Sequence, residues 1–220
     1  MLRGGTTCCN ENYFFPDVAA ATYRRLGFRA LVGLPVIEFP SAWARTRDEY
    51  FDKALALHDD LRGETLVGTA FAPHAPYTVS NESFARIHLL ADQLDVPVHL
   101  HLHETRFEVE DAFARLGARP LARIAGLGLL NRSLIAVHMT ELNEAEIEHC
   151  ARARVSVVHC PESNLKLASG FCPVARLLAA DRAKEGPTGR GRALHSDAGR
   201  RSRRLAWGGG TPSSSRSMVT

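Results

Sequence analysis

"VPVHLHLHET" occupies residues 96–105. Aliphatic residues alternate with His99, His101 and His103, and Glu104 follows at once. The two-residue period is that of a β-strand, whose successive side chains point to opposite faces. All three imidazoles would then share one face. A strand in a covered parallel sheet normally carries aliphatic residues on both faces. The end of this strand is therefore expected to do chemistry as well as packing.

Outward from this stretch the same kind of run recurs. Residues 29–37 (RALVGLPVI), 66–72 (LVGTAFA), 97–103, 133–139 (SLIAVHM) and 154–160 (RVSVVHC) read as buried strands, and residues 6–9 as a shorter one. Helical patterns fill the gaps. Residues 17–26 are Ala-rich and stopped by Gly27. Residues 46–61 carry apolar positions at Tyr50, Ala54, Leu57 and Leu61. Ser80 can cap a helix with the stripe Phe84, Ile87, Ala91 and Leu94. Residues 105–116 and 120–124 are helical. Asn143 with Glu146 three positions later forms a capping-box pattern. A short helix is expected around residues 174–180. Six strands alternating with helices predict an α/β fold with a parallel sheet covered by helices. An open doubly wound sheet and a (β/α) barrel both fit. No G-x-G-x-x-G or G-x-x-x-x-G-K-[ST] sequence is present, which weighs against a nucleotide-binding fold.

In either architecture, chemistry gathers at the C-terminal ends of the strands. His74 follows the third expected strand, His101, His103 and Glu104 end the fourth, His138 ends the fifth and His159 the sixth. Four consecutive strands ending in histidine, from ten in the chain, exceed what packing requires. Neutral imidazole is a common ligand of catalytic zinc, which ionises a bound water near neutral pH. A neighbouring carboxylate can move protons. His99, His101 and His103 could even form a metal site of their own.

Composition sets the outer limits. At 45% hydrophobic and 23% charged the chain is globular and large enough for one real core. No apolar run reaches the ~20 residues of a membrane span, and residues 1–6 lack a signal-peptide core. A cytoplasmic protein is expected, with Cys8, Cys9, Cys150, Cys160 and Cys172 as reduced thiols. The net charge of +3 is uneven: residues 181–220 hold nine Lys/Arg against three Asp/Glu, and the remainder is mildly acidic. That Gly-, Ser- and Arg-rich tail has no periodic apolar face. It reads either as a basic arm for nucleic acid or as the product of a shifted reading frame. The second is favoured, because the α/β alternation stops one element short. Residues 1–180 and 181–220 are therefore treated as separate regions, and nucleic acid is not the expected partner.

Three segments carry a family likeness: "APHAPYTVS" (72–80), "PVHLHLHET" (97–105) and "HCPESNLKLASG" (159–170). Together they resemble the amidohydrolase superfamily, in its branch of methylthioadenosine/S-adenosylhomocysteine deaminases and triazine chlorohydrolases. The resemblance implies a metal-dependent TIM barrel that hydrolyses carbon–nitrogen bonds other than peptide bonds, removing amino groups from purine-like rings. It implies one divalent metal, zinc, with iron or manganese as alternatives. By position, His101 resembles the metal ligand of the fifth barrel strand, and Glu104 the proton shuttle that also contacts the ring nitrogen. His138 resembles the sixth-strand histidine that holds the water or the metal. His74 resembles a substrate contact, and Ser163 and Asn164 shape the pocket from the loop after the next strand.

The departures are equally specific. The family's first-strand His-x-His pair has no counterpart, because Met1 falls where the second strand should start. The last-strand Asp is matched only faintly by Asp197 in "HSDAG". An incomplete barrel is expected, with six of eight strands, the first and last missing, and an activity weakened by missing ligands. The expected partner is a small heterocyclic substrate, with self-association left open. The alternatives are a triazine chlorohydrolase or guanine deaminase of the same superfamily, or a non-catalytic module with a basic tail.

Overall fold

A computed structural model describes residues 1–185, 193–195 and 218–219. The order is β1 (Cys8–Glu11), α1 (Pro16–Leu26), β2 (Arg29–Val36), α2 (Arg47–Asp60), β3 (Val67–Pro73) and α3 (Asn81–Leu94). Then follow β4 (Val98–Leu102), α4 (Arg106–Leu116), α5 (Pro120–Gly126), β5 (Leu134–His138), α6 (Glu144–Ala153), β6 (Ser156–His159), α7 (Pro161–Lys166) and α8 (Val174–Glu185). The short β7 (Ala193–His195) and β8 (Met218–Val219) complete the set.

Every strand pairing is parallel, in the order β7-β6-β5-β4-β3-β2-β1-β8. The six strands legible in the sequence thus lie side by side in chain order, curled into a half-barrel. Parallel neighbours need a crossover, and each crossover here is a helix. The first strand sits two residues later than the 6–9 reading, at Cys8–Glu11, in register with Arg29–Val32 of β2. Most of the region from 186 to 220 lies outside the described residues. So does Asp197. The helix expected over 174–180 runs on to Glu185.

Burial on two faces explains the strand sequences. One face of the sheet packs against the helices through Val32, Leu34, Phe71, Leu100, Leu102 and Leu134, which meet Phe51, Phe84, Ile87, Leu121 and Ile124. The other face holds a smaller cluster of Leu31, Ala70, Ile135, Val137 and Val158. Gly33 in β2 leaves no room for a side chain. A Cβ there would lie 2.7 Å from the Glu11 carbonyl oxygen and 2.9 Å from the Ala72 Cβ.

The βα turns are closed by side-chain caps. Thr46, Ser80, Thr105 and Asn143 each accept the backbone N–H three residues on. Asn143 and Glu146 form the full capping box expected from their spacing.

Behind the end of β4 lies a buried polar knot. His103 has φ 52°, in the left-handed region, so the alternation of the strand stops before it. Its ring leaves the face shared by His99 and His101 and is wholly buried. The ring's Nδ1 lies 3.1 Å from the Glu141 carbonyl, and Nε2 accepts the Leu121 N–H at 3.0 Å. A carbonyl only accepts, so Nδ1 carries the proton. Arg119 reaches the same corner, forking onto both oxygens of Glu146 at 2.7 and 2.9 Å and onto the Glu141 carbonyl. Glu108, also buried, accepts the N–H of His103 at 3.0 Å and of Glu104 at 2.8 Å. Burial pushes the Glu108 carboxyl up to about 7, against the opposing pull of those two N–H donors.

Two measurements check this account. Gly33→Ala is expected to lower stability by about 1–3 kcal/mol, because the Glu11 main chain cannot move aside cheaply. Urea unfolding reads it, and an unchanged midpoint would remove Gly33 as a packing constraint. The second concerns pH. Glu108 holds its proton in the fold above the pH where the unfolded chain loses it. Its stabilising effect is complete below the unfolded value and is lost as pH rises through about 7. From about pH 5 to about pH 8 the urea midpoint of the wild-type chain should therefore fall relative to that of Glu108→Gln. A constant difference between the two would contradict a raised Glu108.

Candidate active site

The C-terminal ends of β1, β4, β5 and β6 surround a cavity of about 400 Å³. His99, His101, His138, Asn10, Cys160 and Ser163 are among its lining residues. His99 and His101 arrive there by strand alternation. His138 arrives differently: it ends β5 with φ 77°, and Met139 follows with φ 51°. Two successive left-handed residues cost energy for side chains other than glycine. They turn His138 into the cavity while Met139 joins the helix-facing core.

The rings sit close together. Centroids of His101 and His138 are 5.4 Å apart, those of His99 and His101 5.7 Å, and those of His74 and His101 5.6 Å. His101 Nδ1 lies 2.8 Å from the His74 carbonyl oxygen, which fixes Nδ1 as its protonated nitrogen. His138 Nδ1 lies 2.8 Å from Asn164 Oδ1. In both rings Nε2 is the nitrogen left untied by these contacts. The Glu104 carboxylate comes to this point, with Oε1 3.4 Å from His138 Nε2. His74 is tied by its own Nδ1 to Thr78 Oγ1 at 3.0 Å.

Desolvation favours the neutral form of His74, His99 and His101. Burial pushes His99 down to about 3 and His101 down to about 4, with neighbouring rings adding to the effect at His99. Burial also lowers His74, while Glu104 pulls the other way. Neutral imidazoles with one nitrogen tied to an acceptor and the other bare are in the state that ligates metal. His101 and His138 therefore suit a divalent cation as part of a ligand set. Among the described residues, no three His, Cys, Asp or Glu side chains converge as a complete set. The self-contained site of His99, His101 and His103 is not formed, because the His103 ring points away into the knot behind the strand.

Ser163 and Asn164 lie on α7, a short helix that the sequence reading took for a loop. Ser163 faces the cavity, whereas Asn164 is buried against His138. His159, the fourth strand-end histidine, is buried at the end of β6 and is absent from the cavity lining.

Three contributors were missed. Asn10 is 2% exposed, and neither atom of its amide has a protein partner among the described residues. A polar residue inside a strand was its available signal. Glu108 and Thr140 hold the main chain of Glu104. The four-residue step from Glu104 to Glu108, across a Thr cap, pointed to the first of these. Nothing local pointed to Thr140. A larger cavity, of about 760 Å³, lies on the other side of Glu108 between Tyr77, Arg115 and Arg123. It contains none of the strand-end histidines.

All five cysteines are free thiols. Among the described residues no helix is long and apolar enough to cross a membrane.

Comparison with known proteins gives a consistent result. The chain is 49% identical over 177 residues to a 5-methylthioadenosine/S-adenosylhomocysteine deaminase of Saccharophagus degradans, covering 80% of this chain and 40% of that protein. A protein of the same name from Teredinibacter turnerae is 45% identical over the same length. The chain thus spans about 40% of the length of these curated relatives. Among solved structures, a zinc-bound adenosine deaminase from Xanthomonas campestris is 60% identical. It superposes with a TM-score of 0.83, over 88% of this chain and 42% of that one. A zinc-complexed atrazine chlorohydrolase from Arthrobacter aurescens TC1, 20% identical, shares the fold with a TM-score of 0.73 over 81% of this chain and 44% of its own. The amidohydrolase family model matches residues 1–191. The half-barrel, its strand-end imidazoles and these matches agree: the chain belongs to the amidohydrolase family.

Proposed function

We propose that this chain forms one wall of a metal-dependent deaminase acting on a purine nucleoside such as methylthioadenosine, S-adenosylhomocysteine or adenosine. The observation that carries the reading is the meeting of His101, His138 and Glu104. Both rings line one cavity with Nδ1 tied to an oxygen and Nε2 untied, and a carboxylate stands 3.4 Å from His138 Nε2. The names and identities of the relatives support the substrate class. Zinc, the metal of the Xanthomonas structure, is the cation proposed here, and His101 and His138 are the residues that would hold it.

A divalent cation supplies the Lewis acidity that ionises water near neutral pH. The chain's own groups do the rest. Through Nε2, the nitrogen not bonded to Asn164, His138 would hold the cation. Glu104 takes a proton from that water and delivers it to the ring nitrogen as the water oxygen bonds to the amino-bearing carbon. The same carboxyl then carries the remaining proton of the added hydroxyl to the amino group, the carbon–nitrogen bond breaks as the carbonyl forms, and ammonia leaves. His74 and Ser163 flank the substrate. Asn164 acts through the His138 ring, which it holds by Nδ1. Residues of the intact protein beyond this chain complete the ligand set.

The test uses a polypeptide in which this chain is completed with the remaining barrel strands of a relative. With zinc it is expected to release ammonia from methylthioadenosine or adenosine. Failure to do so in a folded, zinc-loaded protein would end the reading. In that protein Glu104→Gln should lower kcat roughly a hundred- to ten-thousand-fold with zinc content unchanged. Asn164→Ala should weaken zinc retention or activity by roughly ten- to a hundred-fold, read by metal analysis after dialysis. A variant of Asn164 that keeps full zinc and full rate would remove it from the site.

A further inference from the structure

Glu104 stands at a point where the chain has just left its strand, and a carboxylate on a free loop would wander. Here the loop is gripped on both sides. On one side Glu108 uses both carboxylate oxygens, accepting the His103 N–H at 3.0 Å and the Glu104 N–H at 2.8 Å. On the other side Thr140 holds the carbonyls of the same two residues. Its hydroxyl lies 3.0 Å from the His103 oxygen and 2.8 Å from the Glu104 oxygen, and its N–H donates to the His103 oxygen at 2.9 Å. Neither residue lines the cavity of the strand-end histidines. Glu108 is itself anchored, because its N–H donates to the Thr105 cap.

We propose that Glu108 and Thr140 are positioning residues for Glu104, a pair that clamps its peptide so that its carboxylate meets His138. The Thr140 half has a further consequence. Thr140 follows His138 by two residues, with Met139 between them donating its N–H to the Leu102 oxygen at 3.0 Å. One short segment therefore carries the His138 ring and also holds the backbone of its carboxylate partner. Displacement of one reactive group displaces the other with it. A misplacement of about 1 Å at such a site can cost roughly a hundredfold in rate.

The inference rests on the deaminase reading for its catalytic half, and the test separates the two. Hydrogen exchange is first measured on the purified chain, where no activity is needed. Glu108→Gln leaves only one acceptor for two donors, and Thr140→Val removes the hydroxyl at constant shape. Each is expected to speed exchange in the segment holding the His103 and Glu104 amides by about tenfold or more, with the β2 amides unchanged. Unaltered exchange in both variants would overturn the clamp. The kinetic arm uses the completed polypeptide. Glu108→Gln should lower kcat roughly ten- to a hundredfold with KM within about twofold. In a Glu104→Gln background the same substitution should cost nothing further, because its effect passes through Glu104. An equal loss in both backgrounds would reduce Glu108 to a general structural role and overturn the proposal. If the wild-type protein releases no ammonia while the exchange result holds, the deaminase reading fails and the clamp stands.

Discussion

The His103 imidazole is the constraint on which the strand-end architecture depends. It is fully buried, and both nitrogens are used: one on the loop after β5, the other on the start of α5. It thereby ties three separate stretches of chain together just behind the cavity. Removing it would leave the Leu121 N–H and the Glu141 carbonyl without this partner in a dry interior, where an unmet polar group costs about 1–3 kcal/mol. The left-handed backbone that sends this ring backward also brings Glu104 forward. The geometry of the site is set at that one residue.

Around it the polar groups work in pairs of charge and dipole. Arg119 forks onto Glu146, which also receives the Asn143 N–H in the capping box. The opposed guanidinium and the helix N-terminus hold the Glu146 carboxyl below its ordinary value despite its burial. Glu108 has no such cation at hand and is pushed the other way. Two buried glutamates a few residues from the same loop thus sit in opposite states, because one faces an arginine and the other faces only N–H groups. Meanwhile burial, with the neighbouring rings adding to it, holds His99 and His101 below the usual imidazole range.

Much of this was legible in the chain. Strand alternation, the Ser80 and Asn143 caps, the Gly27 stop and the chain-order sheet all follow from local patterns that tertiary packing then reinforced. His101, His138 and Glu104 could be singled out because strand ends in parallel sheets are where side chains meet. What escaped shared one physical cause. Backbone torsions at positive φ are not encoded by residue type when the residue is histidine or methionine, so neither the outward turn of His103 nor the inward turn of His138 could be read. The same holds for α7, six residues long, whose Pro161 start was visible but whose length gave no periodic signal. The Asn164 contact with His138 was not legible, since a hydrogen bond across 26 residues leaves no trace in spacing.

The chain-order pairing of the sheet has a consequence for how the site comes into being. From β1 to β6 each strand bonds to the strand before and after it in the chain, so every contact between them closes a loop of one helix, or of two between β4 and β5, with its turns. Loop closure on that scale is entropically mild. The wall can therefore grow by accretion during synthesis, β4 docking on β3 before β5 exists. His101 would then find its His74 carbonyl before His138 has been made. At His101 assembly order and reaction geometry coincide: the carbonyl that holds the ring is laid down one crossover ahead of it.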